Sequence, residues 1–331
     1  MSKVVKFYQT GGTEVLKVEE RPIPEPSIGE VLVKIHASAL NRAQLLYLQG
    51  AYAYPPQFPS MLGDEAVGVI EKLGAGVDRF AVGDRVSILS STNMIANGTH
   101  AEHTVVSVDA VIPTPETLDN LSAAALWIAY LTAYAAIIEG ANLQPGQPVV
   151  IAAASSSSGV AAIQIVKDVG GIEIATTRTS RKKEALLDLG TDYVITTEEE
   201  DVTARILEIT QGKGAKVIFD PIGGEMLAKL AAARASGGDI YDYGVLEAGS
   251  LATTLTVPLV YMLSKRLQFL NLLDLLANPA RLEKGSHWIQ EALQKGIIKP
   301  IVDRVFKLDE IATALRYMEA GNQIGKILVT P

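Results

Sequence analysis

Cysteine is absent from this chain of 331 residues, and histidine occurs only 4 times. Without cysteine the protein has no disulfides, no cysteine nucleophile and no thiolate zinc site. The histidines offer little chemistry, because His36 lies among apolar strand residues, and His100 and His103 are spaced to point to opposite faces of a strand. A G-x-S-x-G motif is also missing, which argues against a serine hydrolase.

A surplus of basic residues and a long apolar run are missing as well. The net charge of −8 argues against a nucleic-acid partner bound through its phosphates. The longest uncharged apolar stretch, 121–138, is rich in Ala, Tyr and Thr, and it predicts a buried helix rather than a membrane span. Because the first residues do not resemble a signal peptide, we expect a cytoplasmic protein with no membrane partner.

The composition that remains, 48% hydrophobic and 20% charged, is typical of a globular protein with a substantial core. The first 115 or so residues alternate short apolar runs with glycine and proline, which predicts a small, highly curved β domain. The segment 74–86 is a turn-rich link between two of its strands. Strands are predicted at 31–35, 66–70 and 85–89.

From about residue 121 the pattern changes to alternating strands and helices, which predicts an α/β domain with a doubly wound parallel sheet. Its strands are predicted at 149–153, 172–177, 193–196, 216–220 and 239–243, and its helices at 160–169, 181–189, 202–211 and 226–235. After about residue 279 the chain is predicted to form a helix at 283–295, a strand at 304–308, a helix beginning at Asp309 and a strand at 326–330. This tail is able to complete the first domain.

The segment VVIAAASSSSGV, at 149–160, predicts a dinucleotide site. Small residues occupy positions one, three and six of the dinucleotide fingerprint, at Ala154, Ser156 and Gly159. Between a strand and a helix, such a loop lets a pyrophosphate reach the free amides and the positive dipole of the helix. A serine that only caps the helix is the competing interpretation. The predicted cofactor contacts are Ser155, Ser156, Ser157, Ser158, Gly159 and Val160.

The end of the second parallel strand predicts which cofactor binds. NAD sites usually place an acidic residue there to bind the ribose hydroxyls, but this chain has Thr177 and Arg178. Together with Arg181, Lys182 and Lys183, Arg178 offers cations for a 2′-phosphate. We therefore expect NADPH rather than NADH, bound by Thr177, Arg178 and Lys182. A solvated helix start is the alternative explanation of the basic residues.

Longer motifs are spread over the whole chain. They are GEVLVKIHASALNRAQ (29–44), PSMLGDEAVGVIEKLGAGVDRFAVGDRV (59–86), GTHAEH (98–103), LTAY (131–134), FDPIGG (219–224) and GKILV (325–329). On these motifs the chain resembles the medium-chain dehydrogenase/reductase superfamily, and within it the zinc-free branch of quinone oxidoreductases and enone reductases.

The resemblance implies a GroES-like β domain formed by residues 1–122 with 277–331 and a Rossmann NADPH-binding domain formed by residues 123–276. It also implies an active cleft where the domains meet. A homodimer joined through the Rossmann sheets is expected, with 267–273 as the edge strand of each protomer.

Zinc members of the superfamily carry catalytic ligands at positions that look like Asn41, Asp64 and Ile128. Asn and Ile cannot replace the thiolate ligands of a tetrahedral zinc, so a zinc-type alcohol dehydrogenase is disfavoured and no metal is expected. A metal-free site suits hydride addition to the β-carbon of an activated alkene and proton addition to its α-carbon. The resulting enolate needs only hydrogen-bond donors and a weak acid, while the cofactor carries the difficult step.

The segment around Asn41, Tyr47 and Tyr52 resembles the substrate side of the family's cleft. These three residues are predicted to polarise the substrate or deliver a proton, although both tyrosines are explained equally well by packing. The segment departs from the commoner family pattern at Gln44, where Asp is frequent, and at Leu48, where Arg is frequent.

The resemblance assigns further cofactor contacts to residues remote from the loop. Thr132 resembles a threonine beside the nicotinamide, although by sequence its hydroxyl is equally able to bind its own helix backbone. The other residues follow the strand that faces the nicotinamide or belong to a closing loop, and they are Tyr243, Gly244, Asn322 and Lys326.

The sequence therefore predicts an NADPH-dependent oxidoreductase that reduces a small quinone or α,β-unsaturated carbonyl compound. A non-catalytic NADPH-binding protein that uses the fold for structure or partner recognition is the rival hypothesis. Substrate choice is expected to depend on several segments, including Met94, Leu246 and Leu270.

Overall fold

The computed structural model describes residues 1–89, 97–246 and 266–331. In chain order the strands of this part are β1 (Ser2–Phe7), β2 (Lys17–Arg21), β3 (Glu30–Ala39), β4 (Ser60–Met61), β5 (Glu65–Leu73), β6 (Arg85–Leu89), β7 (His103–Ser107), β8 (Val111–Pro113), β9 (Pro148–Ile151), β10 (Ile172–Thr177), β11 (Tyr193–Thr196), β12 (Ala215–Asp220), β13 (Arg234–Asp242), β14 (Leu267–Phe269), β15 (Val302–Lys307) and β16 (Lys326–Thr330).

The α-helices of the same part are α1 (Arg42–Leu48), α2 (Asn120–Ala124), α3 (Trp127–Tyr134), α4 (Ser157–Val169), α5 (Lys183–Asp188), α6 (Val202–Ile209), α7 (Gly224–Ala232), α8 (Leu272–Leu276), α9 (Pro279–Gln294) and α10 (Ile311–Ala320). Short 3-10 turns lie at Thr13–Val15, Val108–Ala110, Ser180–Lys182 and Leu308–Glu310, and a π-helical segment lies at Ala135–Gly140.

The chain folds into two compact units. The first unit consists of Met1–Ile128 and Pro300–Pro331. Its main sheet has the strand order β15-β16-β3-β5-β6-β8, with β7 also paired to β3, and a smaller sheet has the order β2-β1-β4. The β3–β5 register shifts twice, and such bulges bend a sheet, as expected for a highly curved β domain. The predicted strands at 31–35, 66–70 and 85–89 all lie within strands of this sheet.

The second unit, Ala129–Lys299, is built around a parallel sheet with the order β11-β10-β9-β12-β13-β14. This is the strand order of a doubly wound dinucleotide-binding fold. Aliphatic residues from its strands and helices form one core, because strands covered on both faces need apolar side chains throughout. The predicted fold class is confirmed, and each predicted strand of this sheet corresponds to an observed one.

Some elements differ from the sequence prediction. The apolar stretch 121–138 is mostly buried but forms α2, α3 and part of the π-helical segment rather than one helix. The predicted edge strand 267–273 ends at Phe269, because Asn271 caps α8 by accepting a hydrogen bond from the Leu273 amide. Within the described ranges, no helix has the length and apolarity needed to cross a bilayer.

The boundaries between the units also lie elsewhere than at the predicted positions. Residues 277–299 pack within the second unit, although the sequence assigned them to the first. Arg281 of α9 donates hydrogen bonds of 2.9 and 2.6 Å to the Glu139 carboxylate. A Cβ at Gly285 would lie 2.9 Å from Leu131 and 3.2 Å from the Tyr134 ring, so α9 approaches α3 closely.

Candidate active site

The loop after β9 places the serine run where the order of the parallel sheet reverses. β9 has β10 on one side and β12 on the other, and ligands bind at the carboxyl ends of strands at such a switch point. Ser156 caps α4, because its Oγ accepts a hydrogen bond of 3.0 Å from the Gly159 amide. Serines 155–158 are half-buried, whereas Gly159 and Val160 are buried. The cap thus marks a helix N-terminus suited to an anion.

Gly159 is required by close packing between the loop and the helix. A Cβ at this position would lie 2.6 Å from the Ala154 carbonyl oxygen and 2.7 Å from its Cα. The third small position of the fingerprint therefore has the packing role expected of it. The turn before it includes Ala153, whose φ of 47° lies in the left-handed region that side-chain-bearing residues rarely adopt.

A lysine from the next helical turn reaches this loop. The Nζ of Lys182 donates a hydrogen bond of 2.9 Å to the Ser155 Oγ. Thr177 is buried at the end of β10, while Arg178 and Arg181 extend into solvent beside it. The structure therefore groups the predicted basic residues at the carboxyl end of β10, next to the serine loop.

The acidic run 198–201 lies beside these cations. The amide of Glu198 donates to the Arg178 carbonyl at 3.0 Å, and the Glu199 carboxylate accepts from the Ser180 amide at 3.0 Å. One carboxylate is therefore fixed close to the turn that carries the basic residues.

Tyr243 follows β13 and lies against the same end of the sheet. Its ring stacks on Phe219, with centroids 4.1 Å apart and an angle of 22°. Burial, followed by the charge of Asp220, raises the Tyr243 pKa well above its ordinary value, and an interaction with Ser156 opposes this. The Tyr243 hydroxyl is sealed from solvent and meets hydrogen-bond geometry with no described residue. It is thus a buried hydroxyl beside the loop whose hydrogen-bonding capacity is not used by any described residue.

A cavity of about 430 Å³ opens at the carboxyl ends of β13 and β14. The amide of Gly244 in its wall donates to the Asp242 carboxylate at 3.2 Å, and burial raises the Asp242 pKa to about 6. A second cavity, of about 320 Å³, lies at the amino ends of the parallel strands, which is the wrong end for a ligand in this fold. The residues lining the first cavity are Asp242, Tyr243, Gly244, Val245, Phe269, Leu270 and Asn271.

The remaining predicted cofactor and substrate contacts lie in several different elements. Thr132 is buried on α3, and Leu246 is held by its amide, which donates to the Pro221 carbonyl at 3.0 Å. Asn322 is exposed in the turn after α10. Met94 lies outside the described residues.

In the first unit, Asn41 occupies the N-cap of α1, but its side chain makes no capping hydrogen bond. The Nδ2 of Asn41 donates to Asp64 at 2.9 Å and to Glu65 at 3.3 Å. Its Oδ1 accepts from the Lys326 ammonium at 2.6 Å. The amide is therefore fully occupied in organising charged groups, rather than in satisfying the helix.

Lys326 and Glu65 form a buried ion pair. Their charged atoms lie 2.7 Å apart, and each side chain is only 1% exposed. The second carboxylate oxygen of Glu65 accepts from the Ile128 amide at 2.8 Å. The structure thus gives Lys326 partners within the Asn41 cluster, where the sequence predicted a cofactor contact.

Gln44 extends the cluster in the other direction. Its Nε2 donates to Asp64 at 2.6 Å and to the Ala39 carbonyl at 3.1 Å, and its Oε1 lies 2.9 Å from His100 Nε2. Burial lowers the His100 pKa to about 3, so the ring is neutral. Because the Gln44 oxygen can only accept, His100 carries its proton on Nε2 and accepts from Ser38 on Nδ1, across 2.8 Å.

The three tyrosines near the cluster differ in access. Tyr47 is fully buried, and its hydroxyl lies 2.7 Å from the Ser60 hydroxyl, an environment that favours the packing interpretation. Tyr52 and Tyr54 are half-buried, and their rings meet edge to face at 5.0 Å. Burial and the charge of Asp64 raise the Tyr52 pKa.

Sequence reasoning missed the grouping of Gln44, Asp64, Glu65 and His100 around Asn41. The usable signal was the departure from the family pattern at Gln44, since Gln44 donates a hydrogen bond directly to Asp64. In the described part of the chain, no group of three or more His, Cys, Asp or Glu side chains is placed to hold a metal ion.

Comparisons with known proteins agree with this architecture. A model of the zinc-binding dehydrogenase family matches residues 189–329, and a model of the alcohol dehydrogenase GroES-like domain matches residues 27–116. The human synaptic vesicle membrane protein VAT-1 homolog is 30% identical, over 97% of this chain and 84% of its own length. Human quinone oxidoreductase is 28% identical, over 95% of this chain and 93% of its own.

Among solved structures, the crystal structure of Escherichia coli quinone oxidoreductase complexed with NADPH matches with a TM-score of 0.93. It is 26% identical, and the match covers 99% of this chain and 100% of that one. The chain therefore belongs to the medium-chain dehydrogenase/reductase superfamily, in the branch of quinone oxidoreductases and VAT-1 homologs. Within that superfamily it is an oxidoreductase of the quinone oxidoreductase type.

Proposed function

We propose that this protein is an NADPH-dependent, zinc-independent oxidoreductase that reduces a small quinone or α,β-unsaturated carbonyl compound. The observation that carries the proposal is the strand–loop–helix around Ser156, which lies at the switch point of the parallel sheet and is tied to Lys182 through Ser155. A helix start, small side chains and a nearby cation are together suited to a dinucleotide.

The residues present fit this cofactor. The close packing at Gly159 excludes any residue with a side chain at the place where the phosphates would bind. The Tyr243 hydroxyl is a buried polar group with no hydrogen-bond partner among the described residues. Serines 155–158 would hold the pyrophosphate, and Arg178 with Lys182 would bind the 2′-phosphate. When bound, NADPH supplies the hydride. Thr132, Tyr243 and Gly244 would contact its nicotinamide half, and Asn322 is proposed to contact it from the turn after α10.

The first unit supplies the polar groups for the substrate. Tyr52 is the donor we propose for the carbonyl oxygen, because it is half-buried and its raised pKa keeps the phenol protonated. Asn41 holds Asp64 and Glu65 in place rather than facing a ligand with a free amide. Tyr47 supports Tyr52 by packing, with their ring centroids 6.5 Å apart. A proton-delivery role for Tyr47 stays a prediction.

The proposal is tested in two stages. Calorimetry should show NADPH binding more tightly than NADH, and NADPH absorbance should fall when a panel of quinones and enones is added. Binding without consumption across the panel would favour the non-catalytic NADPH-binding protein instead. Failure to bind either nucleotide would refute the proposal.

We also propose a homodimer. β14 ends the described sheet, and Phe269 on it is 72% exposed, an unusual position for a large apolar side chain. Light scattering should give twice the chain mass, and Phe269→Lys should shift the protein towards monomer.

A further inference from the structure

The cluster around Asn41 contains more buried acid than base. Asp64 is 8% exposed and Glu65 is fully buried, while Lys326 is the buried ammonium that faces them among the described residues. Glu65 already forms the ion pair with Lys326 and also accepts the Ile128 amide. An ionised Asp64 would therefore leave the cluster with one uncompensated negative charge.

Within residues 1–89, 97–246 and 266–331, the groups that face Asp64 besides Lys326 do not supply the missing positive charge. His100, which is linked to Asp64 through Gln44, is held neutral by burial, which lowers its pKa to about 3. Tyr52 and Tyr54 are neutral acids, and burial is the main cause that raises the pKa of each. Burial likewise raises the pKa of Asp64, and the bonds from Asn41 and Gln44 only partly oppose this. The balanced state of the cluster has a proton on Asp64.

The two oxygens of Asp64 have different environments. Oδ1 accepts from both Asn41, at 2.9 Å, and Gln44, at 2.6 Å. Oδ2 accepts no hydrogen bond from any described residue, and it is not among the atoms sealed from solvent. The proton therefore belongs on Oδ2, which is the oxygen that an incoming molecule can reach.

We propose that Asp64 is the proton donor of the reaction, with Oδ2 as the donating atom. This rests on the proposed function, in which a reduced nicotinamide is the two-electron donor. The β-carbon of the substrate gains hydride, the electrons of the C=C bond move towards the carbonyl, and an enolate forms. The O–H bond of Asp64 then breaks, a C–H bond forms at the α-carbon, and the product leaves.

Asp64 ends this step as a carboxylate. The N–H groups of Asn41 and Gln44 stabilise the new charge, because both already point at Oδ1. Water then returns a proton to Oδ2. Asn41 and Gln44 are thus positioning residues, and Asp64 is the acid.

Infrared difference spectroscopy tests the resting state without any turnover. The wild type minus Asp64→Asn spectrum should contain a protonated-carboxyl band near neutral pH that disappears at alkaline pH. Asp64→Asn keeps an oxygen for the Asn41 and Gln44 amides, so the fold should survive. Asp78→Asn, which changes an exposed aspartate, is the matched control and should give no such band. Absence of the band in the Asp64 comparison would overturn the proposal.

Kinetics test the role itself. Asp64→Asn should lower kcat by about 100-fold or more, abolish the loss of rate at high pH and leave the NADPH Kd unchanged, whereas Asp64→Glu should restore part of the rate. If the wild type turns over and Asp64→Asn keeps its rate and pH profile, the role of Asp64 is wrong and the proposed function stands. If the wild type consumes no NADPH with any acceptor, the proposed function fails and this role fails with it.

Discussion

Replacing Glu173 with Gln should make the protein more stable above neutral pH. Glu173 lies on β10 and is only 3% exposed, and its Oε1 has no hydrogen-bond partner within the described chain. Its backbone amide donates to the Asp192 carboxylate at 2.9 Å. Burial first, and then the hydrogen bond and charge of Asp192, raise the Glu173 pKa to about 8, while Lys167 lowers it slightly.

The direction of the change in stability with pH follows from the number of protons that each state binds. In the unfolded chain this glutamate loses its proton near its ordinary pKa of 4.5, whereas in the folded protein it keeps the proton up to about pH 8. Between these values the folded state binds more protons, so the free energy of unfolding falls as pH rises. A difference of 3 to 4 pKa units corresponds to a ceiling of about 5 kcal/mol. Because Asp192 is exposed and water screens the pair, we expect about half of this.

Glutamine keeps the shape and the donor towards Asp192 but cannot ionise. Glu173→Gln should therefore match the wild type at about pH 5 and exceed its Tm by roughly 3–5 °C at about pH 9, as measured by scanning calorimetry. Glu116→Gln, at an exposed glutamate, is the control and should shift neither value. A Tm difference that is the same at both pH values would refute the reasoning.

Three further outcomes are expected. Lys326→Met leaves the Glu65 charge buried without its cation, so urea titration should show a loss of about 3–5 kcal/mol, and a loss below about 1 kcal/mol would contradict the ion-pair argument. Gly159→Ala brings a Cβ within 2.6 Å of the Ala154 oxygen, so thermal unfolding should show a destabilisation of about 1–3 kcal/mol. An unchanged Tm would show that the loop moves to accommodate the Cβ without a cost in stability. Lys182→Met should raise the NADPH Kd about tenfold in calorimetry and leave the NADH Kd unchanged. An equal rise of both Kd values would mean that the lysine does not contact the 2′-phosphate.

The parallel sheet is predictable because β9, β10, β11 and β12 are short, mostly buried segments with clear boundaries. The predicted strands 172–177 and 193–196 coincide with β10 and β11. The helix after β9 begins at Ser157 rather than at 160, since the cap that starts it is Ser156, a residue the sequence assigned to the ligand loop. The local sequence therefore predicts the strands and helices well but their ends less well.

Contacts between distant segments explain what the sequence could not predict. Residues 277–299 join the second unit because of side chains such as Arg281, whose partner Glu139 is far away in the chain. The bond between Gln44 and Asp64 likewise depends on how α1 follows β3 and on how β3 pairs with β5. Spacing along the chain contains no information about either.

The diversion of the Asn41 side chain has a mechanical consequence. An asparagine at the start of a helix ordinarily ties down the first turn, but here that amide is spent on Asp64, Glu65 and Lys326. The first turn of α1 is therefore held by contacts outside the helix, through the ion pair between Glu65 and Lys326. Loss of either charge of the Glu65–Lys326 pair should therefore loosen the first turn of α1 before the rest of the helix.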